Sequence, residues 1–110
     1  MSERYVIKKS SNGQWYFQLK AANSETILVS ETYTAKQNAF NGITSCRNNC
    51  SLDKNYGRLR AKNDQYYFVL KAGNGEIVGV SEMYVTKAGM ETGISSVKAN
   101  GPTSNITDDS

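Results

Sequence analysis

Asn12-Gly-Gln-Trp-Tyr-Phe-Gln-Leu-Lys-Ala21 returns fifty-one residues later as Asn63-Asp-Gln-Tyr-Tyr-Phe-Val-Leu-Lys-Ala72. The echo runs outward from there. Val29-Ser-Glu-Thr-Tyr33 becomes Val80-Ser-Glu-Met-Tyr84, and Gly42-Ile-Thr-Ser45 becomes Gly93-Ile-Ser-Ser96. Aligned without a gap from Asn12 to Asn49, 18 of 38 positions are identical, so two copies of one unit make up nearly the whole chain.

Within the repeated stretch the apolar pattern has period two. Trp15, Phe17 and Leu19 point one way while Tyr16, Gln18 and Lys20 point the other; Tyr66, Phe68 and Leu70 likewise oppose Tyr67, Val69 and Lys71. Such alternation with aromatic residues predicts a strand. An extended segment precedes it in each copy, Tyr5–Lys9 and Tyr56–Arg60. The turns carry Asn12-Gly13 and Asn63-Asp64, residues that tolerate the positive φ of a tight hairpin. A third strand follows at Thr26–Ser30 and Ile77–Ser81. The periodicity then turns helical: Ala39, Ile43, Cys46 and Cys50 form one stripe, matched by Met90, Ile94 and Val97. Thr34 followed by Gln37 resembles a capping box. Gly42 and Gly93 sit inside the helices, where glycine costs about 1 kcal/mol against alanine. The same cost at the same place in both copies points to a close approach of helix and sheet.

The expected fold class is α+β: two tandem β-β-β-α(-β) repeats related by a pseudo-twofold, with repeat 1 at 5–52 and repeat 2 at 56–107 in one domain of 1–110. The polar tail from Thr103 to Ser110 either adds a strand around Ile106 or frays. A length of 110 residues suits one modest core. The longest apolar run is far short of a membrane span, and the start lacks the apolar segment of a signal peptide, so the expected location is the cytoplasm. Net charge is +3, with +5 over residues 1–60 and −2 over 61–110. Dedicated nucleic-acid binders concentrate more charge than this. The two cysteines, with no histidine in the chain, read as structural thiols rather than as metal ligands.

Tyr-Phe-x-Leu-Lys-Ala, Asn-x-Glu, Ser-Glu-x-Tyr and Gly-Ile-x-Ser, taken together over both repeats, resemble the YegP-like family of small bacterial proteins of uncharacterised function. The resemblance implies that the two copies share one antiparallel sheet with helices packed on it and exchange their last strands. It further implies a monomer that mimics a dimer of single-repeat relatives. The second copy carries the pattern more faithfully; the first has Ser24 where the pattern has glycine and Cys46 where the second has Val97. The family brings no catalytic residues to transfer.

Two sets of residues invite a functional reading. The first is Ser30, Glu31, Tyr33 and Lys36, repeated as Ser81, Glu82, Tyr84 and Lys87, which lie where a strand leads into a helix and could form a polar binding pocket. The simpler reading is a structural junction of cap, dipole partner and packed tyrosine. The second set is Tyr16 and Tyr67 with Lys20, Arg60 and Lys71, a possible nucleic-acid contact by stacking and phosphate pairing; the simpler reading is cross-strand packing. No catalytic residue, metal site or cofactor is expected: the chain has no histidine to act as a base near pH 7, no phosphate-binding loop and no nucleophile elbow. An enzyme using the duplicated Ser-Glu-x-Tyr sites is the least supported reading. The leading expectation is a non-catalytic binding module for a protein or peptide, with nucleic acid as the alternative partner and no membrane association.

Overall fold

The computed structural model describes residues 2–110. Three strands, β1 (Arg4–Lys9), β2 (Trp15–Lys20) and β3 (Thr26–Val29), lead to helix α1 (Lys36–Asn49). A short 3₁₀ turn, Asp53–Asn55, opens the second copy: β4 (Tyr56–Arg60), β5 (Tyr66–Lys71), β6 (Ile77–Val80), α2 (Lys87–Asn100) and a last strand β7 (Ile106–Asp108). The alternation read in the sequence decides which face is covered. Tyr5, Ile7, Phe17, Leu19, Phe68 and Leu70 lie in one core with Ile43, Met90, Ile94 and Val97 from the helices.

All seven strands form one sheet in the order β4-β5-β6-β3-β2-β1-β7. The two meanders join at their third strands, where Val29 opposes Val80, so the pseudo-twofold passes between β3 and β6. Each helix packs on its own second strand and reaches across the axis: α1 touches β5 and β6, and α2 touches β2 and β3. The core is therefore common to both copies. At the axis the symmetry breaks. Leu28 and Gly79 are equivalent positions, and a Cβ on Gly79 would lie 2.8 Å from both Cγ and Cδ2 of Leu28. One leucine thus fills the space of two.

The tail forms the strand anticipated around Ile106, but the expected exchange of last strands happens once only. β7 crosses to repeat 1 and pairs with β1, and it does so in parallel, unlike the six antiparallel strands inside it. Repeat 1 has no counterpart, because its chain leaves α1 and runs through Asp53–Asn55 directly into β4. The chain nevertheless leaves both helices alike: the Tyr5 hydroxyl donates to the Gly101 carbonyl at 2.7 Å, and the Tyr56 hydroxyl to the Cys50 carbonyl at 2.6 Å.

The capping box expected at Thr34 and Gln37 does not form. Helix α1 begins after Ala35, which has no oxygen to cap with, whereas the equivalent Thr86 accepts from the Gly89 N–H at 2.9 Å. Thr34 lies outside the helix. In the hairpins, Gly13 and Asp64 share one positive-φ position, and Ser24 and Gly75 share the other. Ser24 thus holds a left-handed conformation (φ 70°) that glycine adopts without steric cost.

Candidate functional site

The Ser-Glu-x-Tyr motifs are junctions in both copies. Ser30 Oγ accepts from the Phe17 N–H at 2.9 Å and donates to the Glu31 carbonyl at 2.8 Å; Ser81 repeats this with Phe68 and Glu82 at the same distances. The backbone of Tyr33 then pairs with Trp15, and that of Tyr84 with Tyr66, which lengthens the central ladders. Glu31 and Glu82 stand exposed. The serines satisfy buried backbone groups, so their hydrogen-bonding capacity is directed inward.

Tyr33 and Tyr84 lie over the helix glycines. A Cβ on Gly42 would come within 2.5 Å of the Tyr33 hydroxyl, and one on Gly93 would overlap the Tyr84 hydroxyl and sit 2.6 Å from its Cζ. The close approach read from the sequence is thus chiefly that of a tyrosine laid across the helix, with Phe17 or Phe68 of the sheet just beneath. Gly93→Ala is expected to destabilise by about 1–2 kcal/mol, overpacking outweighing the helix gain of about 1 kcal/mol. In a Tyr84→Ala background the same change should turn neutral or stabilising. Equal costs in both backgrounds, measured by urea unfolding, would rule out the tyrosine as the reason for the glycine.

Between α1 and the β5–β6 hairpin lies a cavity of about 360 Å³ lined in part by Tyr33, Asn41, Ser45, Asn74 and Glu76. Sequence reading found Tyr33 but not its neighbours across the axis, because they come from the other copy. Burial first, then Glu31, Cys46 and Glu76, raise the Tyr33 phenol above its ordinary pKa; burial, then Glu82 and Glu25, raise that of Tyr84. Each tyrosine therefore feels an acid of the opposite repeat. Cys46 is fully buried, and its thiol is pushed up to about 12 chiefly by burial, which keeps it protonated and unreactive near neutral pH.

The helix-free face of the sheet carries Tyr16, Tyr67, Lys20 and Lys71, as alternation with the core residues requires. Lys20 donates to Thr26 Oγ1 at 3.0 Å. Arg60 does not join them: its guanidinium lies 5.3 Å from the ring centre of Tyr66, whose side chain packs against the core on the opposite face. Gln18 shares the helix-free face, and its buried Oε1 has no hydrogen-bond partner among the described residues.

The sheet edges differ most. On β1 the Tyr5 N–H donates to the Asn105 carbonyl at 2.9 Å and the Asp109 N–H to the Ile7 carbonyl at 2.8 Å, so β7 covers the edge. Lys36, at the start of α1, closes over it with an ion pair to Asp108 at 2.5 Å. That pair holds the Asp108 carboxyl near 2, below its ordinary 3.8. The depressed value means that the contribution is complete above about pH 4 and is lost as pH falls toward 2. The protection of the Thr107 and Asp109 amides, taken relative to their intrinsic exchange at each pH, should fall over that window, and Lys36→Ala should remove that change in protection. A side-chain titration of Asp108 near its ordinary value would show that the pair does not form in solution.

The other edge, β4, has no strand beyond it among the described residues. Its inward charge is matched: Arg58 pairs with Glu91 at 2.6 Å and with Asp53 at 2.9 Å, and Lys98 joins Asp53 at 2.8 Å. These pairs hold Asp53 near 2, the Lys98 hydrogen bond acting most strongly. Beside this edge is a second cavity of about 270 Å³, lined by Arg58, Leu59, Arg60, Tyr66, Lys87 and Met90. Of the two candidate lysines at helix starts, Lys36 is occupied by an acid and Lys87 has no ion pair among the described residues. Among the described residues there is no group of three or more metal-ligating side chains, and no helix is long and apolar enough to cross a membrane.

Comparison with known proteins agrees with the duplication. A family described as "Domain of unknown function (DUF1508)" matches residues 10–56 and again 61–108. A UPF0339 protein of Shewanella oneidensis is 49% identical over 108 residues, covering 98% of each chain. UPF0339 protein YegP of Escherichia coli K12 is 47% identical with the same coverage. Two solution NMR structures share the fold. That of a UPF0339 protein from Shewanella oneidensis has a TM-score of 0.91 at 49% identity over 98% of this chain and 92% of that one. That of yegP from E. coli, described as a protein of unknown function, has a TM-score of 0.93 at 47% identity over 99% and 94%.

Proposed function

Since the chain belongs to the DUF1508 family, whose function is unknown, we propose its role from its own geometry: it is a small non-catalytic binding module that takes an extended segment of a protein or peptide onto the free edge of β4. One observation carries this reading. The pseudo-twofold makes β1 and β4 equivalent, yet β1 is covered by β7 and β4 is bare. An open edge offers a row of unpaired N–H and C=O groups to an added strand. The protein itself supplies an example of such an addition on the equivalent strand. The duplicated Ser, Glu, Tyr and Lys residues then serve the edge rather than a reaction. Ser81 and Tyr84 fix the junction, and Lys87 stands beside β4. We place the protein in the cytoplasm as a monomer, the covalent equivalent of a two-copy assembly.

Selection from a random peptide library on the full chain, followed by amide-shift mapping, tests this. Selected peptides should shift Tyr56–Arg60 and lose binding when N-methylated at alternate residues, which deletes the donors of a strand pairing. Peptides that map to the cavity beside Tyr33, or that tolerate N-methylation, would contradict it.

The helix-free face supports a second reading, weak binding of single-stranded nucleic acid through Tyr16, Tyr67, Lys20 and Lys71. It requires affinity that falls steeply between about 50 and 200 mM salt and on joint Tyr16→Ala and Tyr67→Ala substitution. Salt-insensitive binding would dismiss it.

A further inference from the structure

We propose that β4 accepts an acidic segment running parallel to it, in the register that β7 adopts on β1, with an aspartate or glutamate of that segment seated on Lys87. This rests on the edge reading above and adds the partner's chemistry, direction and register.

The template is internal. β7 lies on β1 with Ile106 opposite Tyr5, Thr107 opposite Val6 and Asp108 opposite Ile7. Lys36 takes the Asp108 carboxylate of the strand, and Arg47 Nε donates to the Thr103 carbonyl of the segment leading into it at 2.7 Å. Each element of this site has a twin fifty-one residues later: Tyr56 for Tyr5, Arg58 for Ile7, Lys87 for Lys36, Lys98 for Arg47. Where Asp108 would fall in the second copy there is the 270 Å³ cavity between Arg58, Arg60 and Lys87.

The charges there ask for one acid. Arg58 is engaged by Glu91 and Asp53, and Arg60 faces Asp64 at 3.7 Å. Lys98 shares Asp53. Lys87 remains as the cation without a carboxylate among the described residues, which is the condition Lys36 would be in without Asp108. The upstream limit is set by the connection itself: the Tyr56 N–H already donates to the Asp53 carbonyl. An incoming strand in this register therefore forgoes the one bond that the Asn105 carbonyl accepts from Tyr5, and pairs along Gly57–Arg60 with its acid opposite Arg58. Leu59, 42% exposed, gives it an apolar contact on the helix-free side.

The probe is a synthetic peptide with the sequence of residues 106–110, acetylated and amidated, added at millimolar concentration to the full chain and followed by amide shifts. A charge-swapped version with lysine for the residue equivalent to Asp108, and a neutral version with asparagine, are run beside it. Shifts at Gly57–Arg60 and Lys87 are expected, with affinity reduced at least tenfold for the lysine peptide and for the Lys87→Glu protein. The Lys87→Glu protein should bind the lysine peptide better than the wild-type protein does. Equal binding of all three peptides on β4 would overturn the acidic register and leave the edge reading standing. No shift on β4 with any peptide would remove both. Shifts confined to Tyr5–Ile7 would mean that the peptide only displaces β7. Concentration-dependent shifts without peptide would make the occupant a second copy of the chain, and would overturn the proposal.

Discussion

Repeat 2 expressed alone, as residues 53–110, is expected to be largely unfolded as a monomer. Its helix α2 rests in part on β2 and β3 of the other copy, and its last strand pairs with β1 of that copy. The Gly101 carbonyl loses the Tyr5 hydroxyl, and Gly79 loses the Leu28 side chain that fills the space above it. Cores of chains below about 70–80 residues rarely supply more than about 3–5 kcal/mol even when complete. This one would lose a share of its core greater than that margin allows. Self-association is a poor remedy, because two copies of repeat 2 about the same axis bring Gly79 against Gly79 and leave the Leu28 volume empty. Adding residues 1–52 in trans should restore dispersed amide shifts. A cooperatively melting, monomeric 53–110 fragment would contradict the shared core.

The second large effect lies at the axis. Leu28→Gly should cost about 3–5 kcal/mol, since it empties a fully buried site and adds glycine's backbone entropy. Gly79→Leu should cost about 1–3 kcal/mol or more, because the new side chain meets Leu28 and the Val29 carbonyl, 3.3 Å from the position of its Cβ. The double variant moves the leucine to the other side of a pseudo-twofold and should be more stable than either single variant, with a coupling of at least about 2 kcal/mol. Additive costs in denaturant unfolding would show that the two positions do not share one space.

Those two sites also show where reading the sequence stopped. The strands were legible because burial on one face stamps a period of two on each strand separately. The helices were legible from their period and their paired glycines. The order of strands was not, since joining β3 to β6 leaves both local patterns unchanged. The exchange of Leu28 for Gly79 carries no signal in either copy alone, and its meaning emerges only where the two lie against each other. Thr34 resembles a cap in sequence because the residue that occupies the cap position, Ala35, has no side-chain oxygen, while the equivalent Thr86 does. At the functional level, the Ser-Glu-x-Tyr repeat advertises itself by identity alone, and Ser30 and Ser81 make backbone bonds within the fold. Lys36 and Lys87 are equals in the sequence. Their difference, one closed by Asp108 and the other without an ion pair among the described residues, depends on the path of the chain after each helix, which no local pattern records.

Amide hydrogen exchange at Ile7 and Arg58 in the full chain tests most directly whether one edge is covered and its twin bare. Both amides face outward on equivalent strands, two residues beyond Tyr5 and Tyr56. Ile7, under β7, should exchange slowly, and Arg58 should exchange at close to the rate of an unstructured amide; truncation before Thr103 should bring Ile7 up toward Arg58. Equal, strong protection of both amides in the intact chain would mean that β4 already has a partner, and the binding site proposed for it would not exist.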